Sequence, residues 1–336
     1  LFEYQSFMAE LTAMDVVNSS MYDASTALGE AALMSARISP GTRFLVSRAI
    51  SPERKAVAEL YAKGADIRIE EVAYDRQTGG VDLDDLRAKL TDGVCGFYFE
   101  TPNFFGVLEP RWKEIREMLG KRALVIGANP MALAMIKPPG EMGADIAIGE
   151  AQVFGAPMSF GGPLLGLFGC RTEHVRKMPG RVIGMTNDLD GKRAYCMTLA
   201  TREQHIRRSK ATSNICSNEA LMAVGAASYL AIMGRSGLRE IAARNIRNMR
   251  ELSDRLSRVK GFSAPLFKGP HFNEFVVSSE KPADEVHKHL LSMGIQGGLP
   301  LTGMFPELGN ASLYCTTEMH TKKDHDALVA ALEGFR

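Results

Sequence analysis

The chain has 336 residues, of which 45% are hydrophobic and 24% charged, a composition typical of a folded globular protein rather than a disordered or collagenous one. Its 40 basic and 39 acidic side chains give a net charge of +1, so no global field exists that would hold nucleic acid or an anionic membrane. This length predicts about two domains. The 5 cysteines follow no CxxC spacing and fit neither a disulfide framework nor a zinc cluster, so we predict no metal site.

The first segments of the chain are predicted to be helical. Apolar residues recur at helical spacing from Leu1 to about Met14, and the apolar pair Val16-Val17 follows. Asp23 is the predicted N-cap of an alanine-rich helix that runs to about Arg37.

Strand and helix patterns then alternate. Short, mostly apolar runs predict strands at Arg43 to Arg48, Asp66 to Val72, Val94 to Glu100, Ala123 to Ile126 and Asp145 to Ile148. The segments between them predict helices at Pro52 to Lys63, Leu83 to Leu90 and Trp112 to Leu119. This alternation predicts an α/β fold, with a mostly parallel sheet and helices on both faces.

The second half of the chain is predicted to be more varied. A strand at Leu164 to Phe168 precedes an ordered loop or irregular hairpin over Gly180 to Gly191. Helices are then predicted at Arg202 to Arg208, Asn218 to Met233 and Leu238 to about Val259. Beyond Lys260 the pattern is that of a small α/β unit with strands at Glu274 to Val277 and Ala311 to Tyr314 and helices at Ala283 to Met293 and Lys323 to Leu332. We therefore predict a large domain over 1–259 and a small C-terminal α/β domain over 260–336.

No predicted segment marks the chain for a membrane or for export. The longest uncharged, mostly apolar stretch, Ala220 to Gly234, falls short of the ~20 residues that a spanning helix requires, so we predict a buried helix there. No charged-then-apolar leader follows Leu1. We expect a cytoplasmic protein without a membrane or nucleic-acid partner.

Two short motifs could bind a ligand. One is the helix start Tyr22-Asp23-Ala24-Ser25-Thr26-Ala27, where free backbone N–H groups would form an anion site unless the segment is simply a capped helix. The other follows the strand ending at Glu100, in Thr101-Pro102-Asn103-Phe104-Phe105-Gly106. Its aromatic rings could stack on a planar ligand, or one could be core while the other covers the sheet edge.

A basic segment is the third candidate. It follows Thr201, whose spacing to Gln204 fits a capping box, and Arg202, His205 and Arg208 would then share one helical face. Clustered cations repel one another unless they meet carboxylates or a phosphate, so the segment is either a solvated face or a site. Its candidate residues are Arg202, His205, Arg207, Arg208, Lys210, Thr212, Ser213 and Asn214.

Longer strings of sequence resemble a known family. These strings are Phe2-Glu3-Tyr4-Gln5, Met21 to Leu28, Pro102 to Gly106, Met178-Pro179-Gly180-Arg181, Asp190-Gly191-Lys192-Arg193 and Arg202 to Cys216. Together they resemble the glycine decarboxylase (P-protein) family of the glycine cleavage system and, more narrowly, subunit 1 of its split bacterial form. The resemblance implies that the N-terminal arm of the family lies before Leu1 and is absent here.

The resemblance also implies the fold of type I enzymes that depend on pyridoxal phosphate (PLP), in which a lysine binds the cofactor covalently and an aspartate pairs with its ring nitrogen. Shared residues from Gly127 to Pro163 align Ile126 with that aspartate and Gln152 with that lysine. A carboxamide nitrogen is not nucleophilic, and isoleucine offers the ring neither charge nor hydrogen bond. We therefore expect a degenerate pocket that binds no PLP productively, formed by Tyr22, Asp23, Ser25, Thr26, Ile126 and Gln152.

The expected function follows from this resemblance. The chain would be the subunit without cofactor of a heteromeric glycine dehydrogenase (decarboxylating), inactive alone, with PLP on the partner subunit 2. The complex would decarboxylate glycine and pass the aminomethyl group to the lipoyl arm of the H-protein, and the basic segment would contribute to the shared active site. Two alternatives remain: a purely structural or regulatory subunit, or a self-sufficient PLP enzyme that uses Lys137, Lys192 or Lys210.

Overall fold

A computed structural model describes residues 1–215 and 218–335 of the chain. Its helices are α1 (Phe2–Thr12), α2 (Ala24–Ile38), α3 (Pro52–Lys63), α4 (Leu83–Lys89), α5 (Trp112–Leu119), α6 (Gln204–Arg207), α7 (Ala220–Leu256), α8 (Ala283–Ser292) and α9 (Lys322–Glu333). Its strands are β1 (Val16–Val17), β2 (Arg43–Ser47), β3 (Arg68–Val72), β4 (Val94–Thr101), β5 (Ala123–Ala128), β6 (Ile146–Glu150), β7 (Gly166–Cys170), β8 (Val182–Asn187), β9 (Arg193–Thr198), β10 (Phe262–Ser263), β11 (Glu274–Ser279), β12 (Leu299–Pro300) and β13 (Ala311–Cys315).

The large sheet has seven strands in the order β1-β7-β6-β5-β4-β2-β3. Strands β2 to β6 pair in parallel, whereas β7 and β1 join one edge antiparallel. All eight residues of β4 are buried, because a parallel sheet of this kind is covered on both faces. The predicted mostly parallel sheet is confirmed.

Successive side chains of β5 enter different hydrophobic cores. Leu124 and Ile126 pack in one core, together with α7, whereas Val125 packs in the other, against α2 and α3. Neighbouring residues of a strand point to opposite faces, so an uninterrupted apolar run needs helices on both sides. The predicted α/β class with helices on both faces is confirmed.

The second sheet is antiparallel and has four strands in the order β10-β11-β13-β12. Helices α8 and α9 pack against it through Leu290 and Leu332, and the end of α7 joins the same core through Leu252 and Leu256. The strands and helices predicted beyond Lys260 are confirmed. The division of the chain into domains at 259/260 stays a prediction.

The segment from Gly180 to Gly191 is part of a regular hairpin rather than a loop or an irregular one. Strands β8 and β9 pair antiparallel from Val182 with Thr198 to Asn187 with Arg193. The turn between them is closed by Asp188, whose carboxylate accepts from the backbone N–H groups at positions 190 and 192. A side chain that caps its own turn explains why a glycine-rich, charged stretch remains ordered.

The prediction of a buried helix at Ala220 to Gly234 is wrong. Leu221 is 76% exposed and Ile232 82% exposed, although both are strongly apolar. By length and composition alone, α7 is long and apolar enough to cross a membrane, and most of its apolar part is not buried. Gly234, with a φ of 59°, breaks the helix where two separate helices were predicted. Helix α7 therefore presents apolar surface that residues 1–215 and 218–335 leave uncovered.

Candidate active site

A cavity of about 340 Å³ lies at the carboxyl ends of the central parallel strands. Open α/β sheets bind their ligands at this edge. Strands β4, β5 and β6 contribute the residues that end or follow them, helices α2 and α3 contribute their first turns, and the small sheet closes the far side. The lining residues include Ala24, Ser51, Arg54, Tyr98, Glu100, Phe104, Gly127, Asn129, Glu150, Glu274 and Leu313.

A buried polar network lines one side of this cavity. Oε1 of Glu100 accepts from the Tyr98 hydroxyl at 2.7 Å and from the Arg54 guanidinium. Burial raises the pKa of Tyr98, and the negative charge of Glu100 raises it further. Burial alone would lower the pKa of Arg54, but the charges of Glu100 and Tyr98 outweigh it and the net direction is upward. The cation is therefore already paired within the chain.

Close packing of this network explains Gly127. A Cβ atom there would lie 2.2 Å from the Tyr98 hydroxyl oxygen and 2.9 Å from Cγ of Glu100. Only glycine leaves room for the tyrosine and the glutamate to meet above β5.

The carboxylate of Glu150 lies at the N-terminus of α2. It accepts from the backbone N–H groups of Ala24 at 3.1 Å, Leu165 at 2.7 Å and Gln152 at 3.2 Å. Burial raises the pKa of Glu150, and these three hydrogen bonds act in the opposite direction. A helix N-terminus is where a phosphate would otherwise bind, because free N–H groups and the helix dipole favour an anion. In this chain a side-chain carboxylate takes that place.

The predicted pocket residues lie around the cavity rather than in its lining. Asp23 caps α2 and forms a capping box with Thr26, so the capped-helix interpretation of this motif is confirmed. Ile126 is fully buried in a hydrophobic core, and the Gln152 amide donates to the carbonyl oxygen of Pro157 at 3.2 Å. Tyr22 lines a different cleft. Ser25, in the first turn of α2, is partly exposed.

The two phenylalanines after β4 have different roles, as the second of the two interpretations of this motif predicts. Phe105 is fully buried and stacks on Phe267 with ring centroids 4.8 Å apart. Phe104 stacks on Phe305 at 5.6 Å and lines the cavity. One ring belongs to the core, and the other covers the edge of the sheet.

None of the three lysines of the self-sufficient alternative lines the cavity. Lys137 forms an ion pair with Glu141 at 2.7 Å on the surface. Lys192 lies in the β8–β9 turn with its side chain 78% exposed, and Lys210 is exposed. A covalent cofactor bond requires the amine inside the pocket, so this alternative is not favoured.

The basic segment, residues 202–214, is not one helix. Its α-helical part is α6, four residues long, with Glu203 as an N-cap that lacks a side-chain cap bond, and a 3-10 turn follows at Arg208–Lys210. Arg208 has a φ of 52°, which turns the chain before the next residues. The predicted capping box from Thr201 and the shared face of Arg202, His205 and Arg208 are therefore wrong. Residues 202–214 form a short curved loop, called the arch below, instead of the predicted helix. Cations on one helical face repel one another, and this repulsion disfavours the helix.

Arg202 is the cation of the basic segment that the described contacts hold against the loop before β8. The Arg202 guanidinium donates to the carbonyl oxygens of Met178 and Gly180, the latter at 2.9 Å, and burial lowers its pKa. His205 lies 3.5 Å from the Glu203 carboxylate, and Arg207 donates to the Thr201 carbonyl oxygen at 3.2 Å.

The remaining candidates of the basic segment are either exposed to solvent or bonded where the two ends of the arch come together. Arg208, Lys210 and Asn214 are exposed. Thr212 donates its backbone N–H to the carbonyl oxygen of Arg202 at 3.1 Å, and the Ser213 hydroxyl donates to Glu30 at 2.5 Å. The segment thus forms the wall of a second cleft, of about 790 Å³, whose opposite side is α2 and α3.

Sequence reasoning missed the polar lining of the cavity. Glu100 ends one predicted buried strand and Glu150 lies two residues beyond the end of another, and a carboxylate in that position is a signal that could have been used. Arg54 gave no such signal, because its position in the first turn of α3 is common for a surface residue. Glu274 comes from the small sheet, and only the folded chain brings it to the cavity.

Structures with the same fold define its class. Among them is "C-DES Mutant K223A with GLY Covalenty Linked to the PLP-cofactor", which has a TM-score of 0.72 at 12% identity and covers 100% of this chain and 85% of that one. At this identity the likeness concerns the fold alone. The chain has the architecture of fold type I PLP-dependent enzymes.

Closer relatives define the family. A sequence model described as "Glycine cleavage system P-protein" matches residues 1–332. A relative from Pyrococcus furiosus named "Probable glycine dehydrogenase (decarboxylating) subunit 1" is 49% identical over 99% of this chain and 74% of its own length. A crystal structure of glycine decarboxylase (P-protein) of the glycine cleavage system, in inhibitor-bound form, has a TM-score of 0.92 at 35% identity and covers 99% of this chain and 74% of that one. The chain therefore belongs to the glycine cleavage system P-protein family.

Proposed function

We propose that the protein is subunit 1 of a heteromeric glycine dehydrogenase (decarboxylating) and that its homologous partner, subunit 2, carries the PLP. The names of its relatives support the split form of the enzyme. The proposed complex decarboxylates glycine and passes the aminomethyl group to the lipoyl arm of the H-protein. We propose a cytoplasmic location, without nucleic-acid or membrane partners.

One observation carries the assignment of PLP to the partner: Glu150 occupies the Ala24 N–H at the start of α2. A phosphate there would meet a fixed carboxylate at hydrogen-bond distance, and like charges repel. The described lining of the cavity also holds no lysine amine. The residues of this cavity do not fit PLP.

The basic segment is the proposed contribution of this chain to the active site of its partner. Arg208 and Lys210 are exposed and form no ion pair with any carboxylate among the described residues. Cations held in a fixed arch and not neutralised by their own chain are suited to a glycine carboxylate, a cofactor phosphate or a carboxylate of the partner. Each of these groups would lie in or beside the shared site.

The exposed apolar surface of α7 is proposed to pack against the partner subunit. An apolar patch of this kind is typical of a protein interface. A lipid surface is the competing occupant, and flotation of the two-subunit complex with anionic vesicles separates the two. We expect the complex to stay with the soluble fraction.

The cofactor assignment can be tested directly. Subunits 1 and 2 are expressed together and alone, incubated with PLP, reduced with borohydride, digested and analysed by mass spectrometry. We expect a reduced adduct on one lysine of subunit 2, none on subunit 1, and exchange of carbon dioxide with glycine only when both are present. A stoichiometric adduct on Lys137, Lys192 or Lys210, or exchange by subunit 1 alone, would contradict the proposal.

A second experiment tests the contribution of the basic segment. Arg202→Ala and His205→Ala variants are assembled with subunit 2, and exchange of carbon dioxide with glycine is measured. We expect a loss of exchange at normal assembly. Unchanged exchange would favour a purely structural subunit.

A further inference from the structure

Glu30 is a buried carboxylate that the cavity and the proposed chemistry leave unused. It lies in the middle of α2 and is 2% exposed. Its Oε1 accepts from the Ser213 hydroxyl at 2.5 Å, and its Oε2 is buried and has no hydrogen-bond partner among the residues that the structure describes. Burial raises the pKa of Glu30, while the Ser213 hydrogen bond and the charge of Arg37 act in the opposite direction. Burying a carboxylate costs free energy unless it is hydrogen-bonded, so the bond from Ser213 offsets part of that cost.

The Ser213 hydroxyl also forms a hydrogen bond with the backbone just beyond the basic segment. The Ser213 oxygen accepts from the backbone N–H of Ile215 at 3.1 Å, so one hydroxyl joins Glu30 to the main chain. At the other end of the arch, Arg202 is held by the carbonyl oxygens of Met178 and Gly180. The basic segment is therefore fixed at both ends.

Between these two anchors the described contacts of the segment are within itself or with its immediate neighbours, except that Glu203, next to Arg202, forms an ion pair with Arg181 at 3.7 Å. His205 meets Glu203, and Arg207 meets Thr201. The backbone N–H of Thr212 donates to the carbonyl oxygen of Arg202 at 3.1 Å and closes the base of the arch. Hence the positions of the exposed cations depend on the two ends.

We propose that Glu30 is a positioning residue that, through the Ser213 hydroxyl, holds the basic segment in place for the shared active site. This inference rests on the proposed function of the segment, but the restraint itself can be measured separately. Glu30 touches no reacting group. It acts because a hydrogen bond to a buried carboxylate is stronger than one between neutral groups.

The test uses the full-length protein in its complex with subunit 2. Amide hydrogen exchange of the peptide that covers the basic segment is followed by mass spectrometry for Ser213→Ala, which removes the donor, and Ser213→Thr, which keeps it. We expect Ser213→Ala to exchange on the order of tenfold faster, because a charged hydrogen bond is lost from the anchor, and Ser213→Thr to resemble the wild type. Ser209→Ala, in the same exposed segment, is the matched control and should leave the exchange unchanged.

Glu30→Gln is the second variant, because it keeps an acceptor oxygen of the same shape without the charge. We expect its segment to exchange at a rate between those of the wild type and Ser213→Ala. For exchange of carbon dioxide with glycine, we expect kcat/KM to fall on the order of tenfold in Ser213→Ala and to recover in Ser213→Thr, with the mass of the complex unchanged.

The outcomes separate the inference from the proposed function. Equal hydrogen exchange in Ser213→Ala and the wild type would overturn the positioning role of Glu30. Faster hydrogen exchange with unchanged kcat/KM would support the restraint and contradict the proposed role of the basic segment in the shared site.

Discussion

The carboxylate of Glu150 and the backbone N–H of Ala24 lie 3.1 Å apart at the first turn of α2. The two residues are 126 positions apart in the chain, yet they form the contact that a bound anion would otherwise make. Because the same carboxylate also accepts from Leu165 and Gln152, it joins α2, β6 and the approach to β7.

Replacing this carboxylate should destabilise the fold. Glu150→Ala leaves three backbone N–H groups without an acceptor, and we expect a loss of about 2–4 kcal/mol in the free energy of unfolding. Glu141→Ala is the control, since its ion pair with Lys137 lies on the surface and should contribute less than about 0.5 kcal/mol. Urea denaturation of both variants checks the difference, and equal midpoints would contradict the structural role of Glu150.

Gly127 should tolerate no side chain. The Cβ of Gly127→Ala would overlap the Tyr98 hydroxyl, which is held by Glu100, and we expect a destabilisation of about 1–3 kcal/mol. Gly225→Ala is the matched control in helix α7, where no atom lies within 4 Å of the added Cβ and helix propensity favours alanine. Thermal unfolding should show a lower Tm for the first variant and an equal or higher one for the second. A lower Tm for Gly225→Ala alone would refute this account of the packing.

Glu274 should make stability depend on pH. Burial raises its pKa to about 7 from an ordinary value of 4.5. The folded state therefore binds the proton more tightly than the unfolded state. The resulting stabilisation is fully present below about pH 4.5 and is lost as the pH rises to about 7. We expect Glu274→Gln to remove this slope and to be more stable than the wild type at pH 8 by roughly 1–3 kcal/mol.

Denaturant unfolding from pH 5 to pH 8 measures this slope. Glu280→Gln, an exposed position just beyond the same strand, is the control and should retain the pH dependence of the wild type. A Glu274→Gln variant with the same pH dependence as the wild type would show that this carboxyl titrates normally.

Charge on the basic segment should matter for activity more than for folding. We expect Arg208→Glu and Lys210→Glu to lower exchange of carbon dioxide with glycine by at least about tenfold in the assembled complex, because each replaces an attraction for an anionic group by a repulsion. Lys121→Glu, exposed just before β5 and at the opposite edge of the sheet, should leave exchange unchanged. Tm and the mass of the complex are measured alongside. Full activity of both reversed variants would remove the segment from the site.

Much of the fold could be predicted from local sequence. Apolar runs such as Ala123 to Ile126 correctly indicated the strands, because a strand buried on both faces has to be apolar throughout. Asp23 marked the start of α2, since its carboxylate and the Thr26 N–H form a contact within four residues. The identical strings of residues were enough to indicate the family.

The polar contacts of the site depended on the tertiary structure. Glu150 reaches α2, and Glu274 reaches the cavity, only after distant segments have packed together. The basic segment resembled a helix because its residues are good helix formers, but its charges and the anchors at Arg202 and Ser213 made it an arch. Periodicity records which face of an element is buried, whereas the partner of a buried charge is set by residues that are far away in the chain.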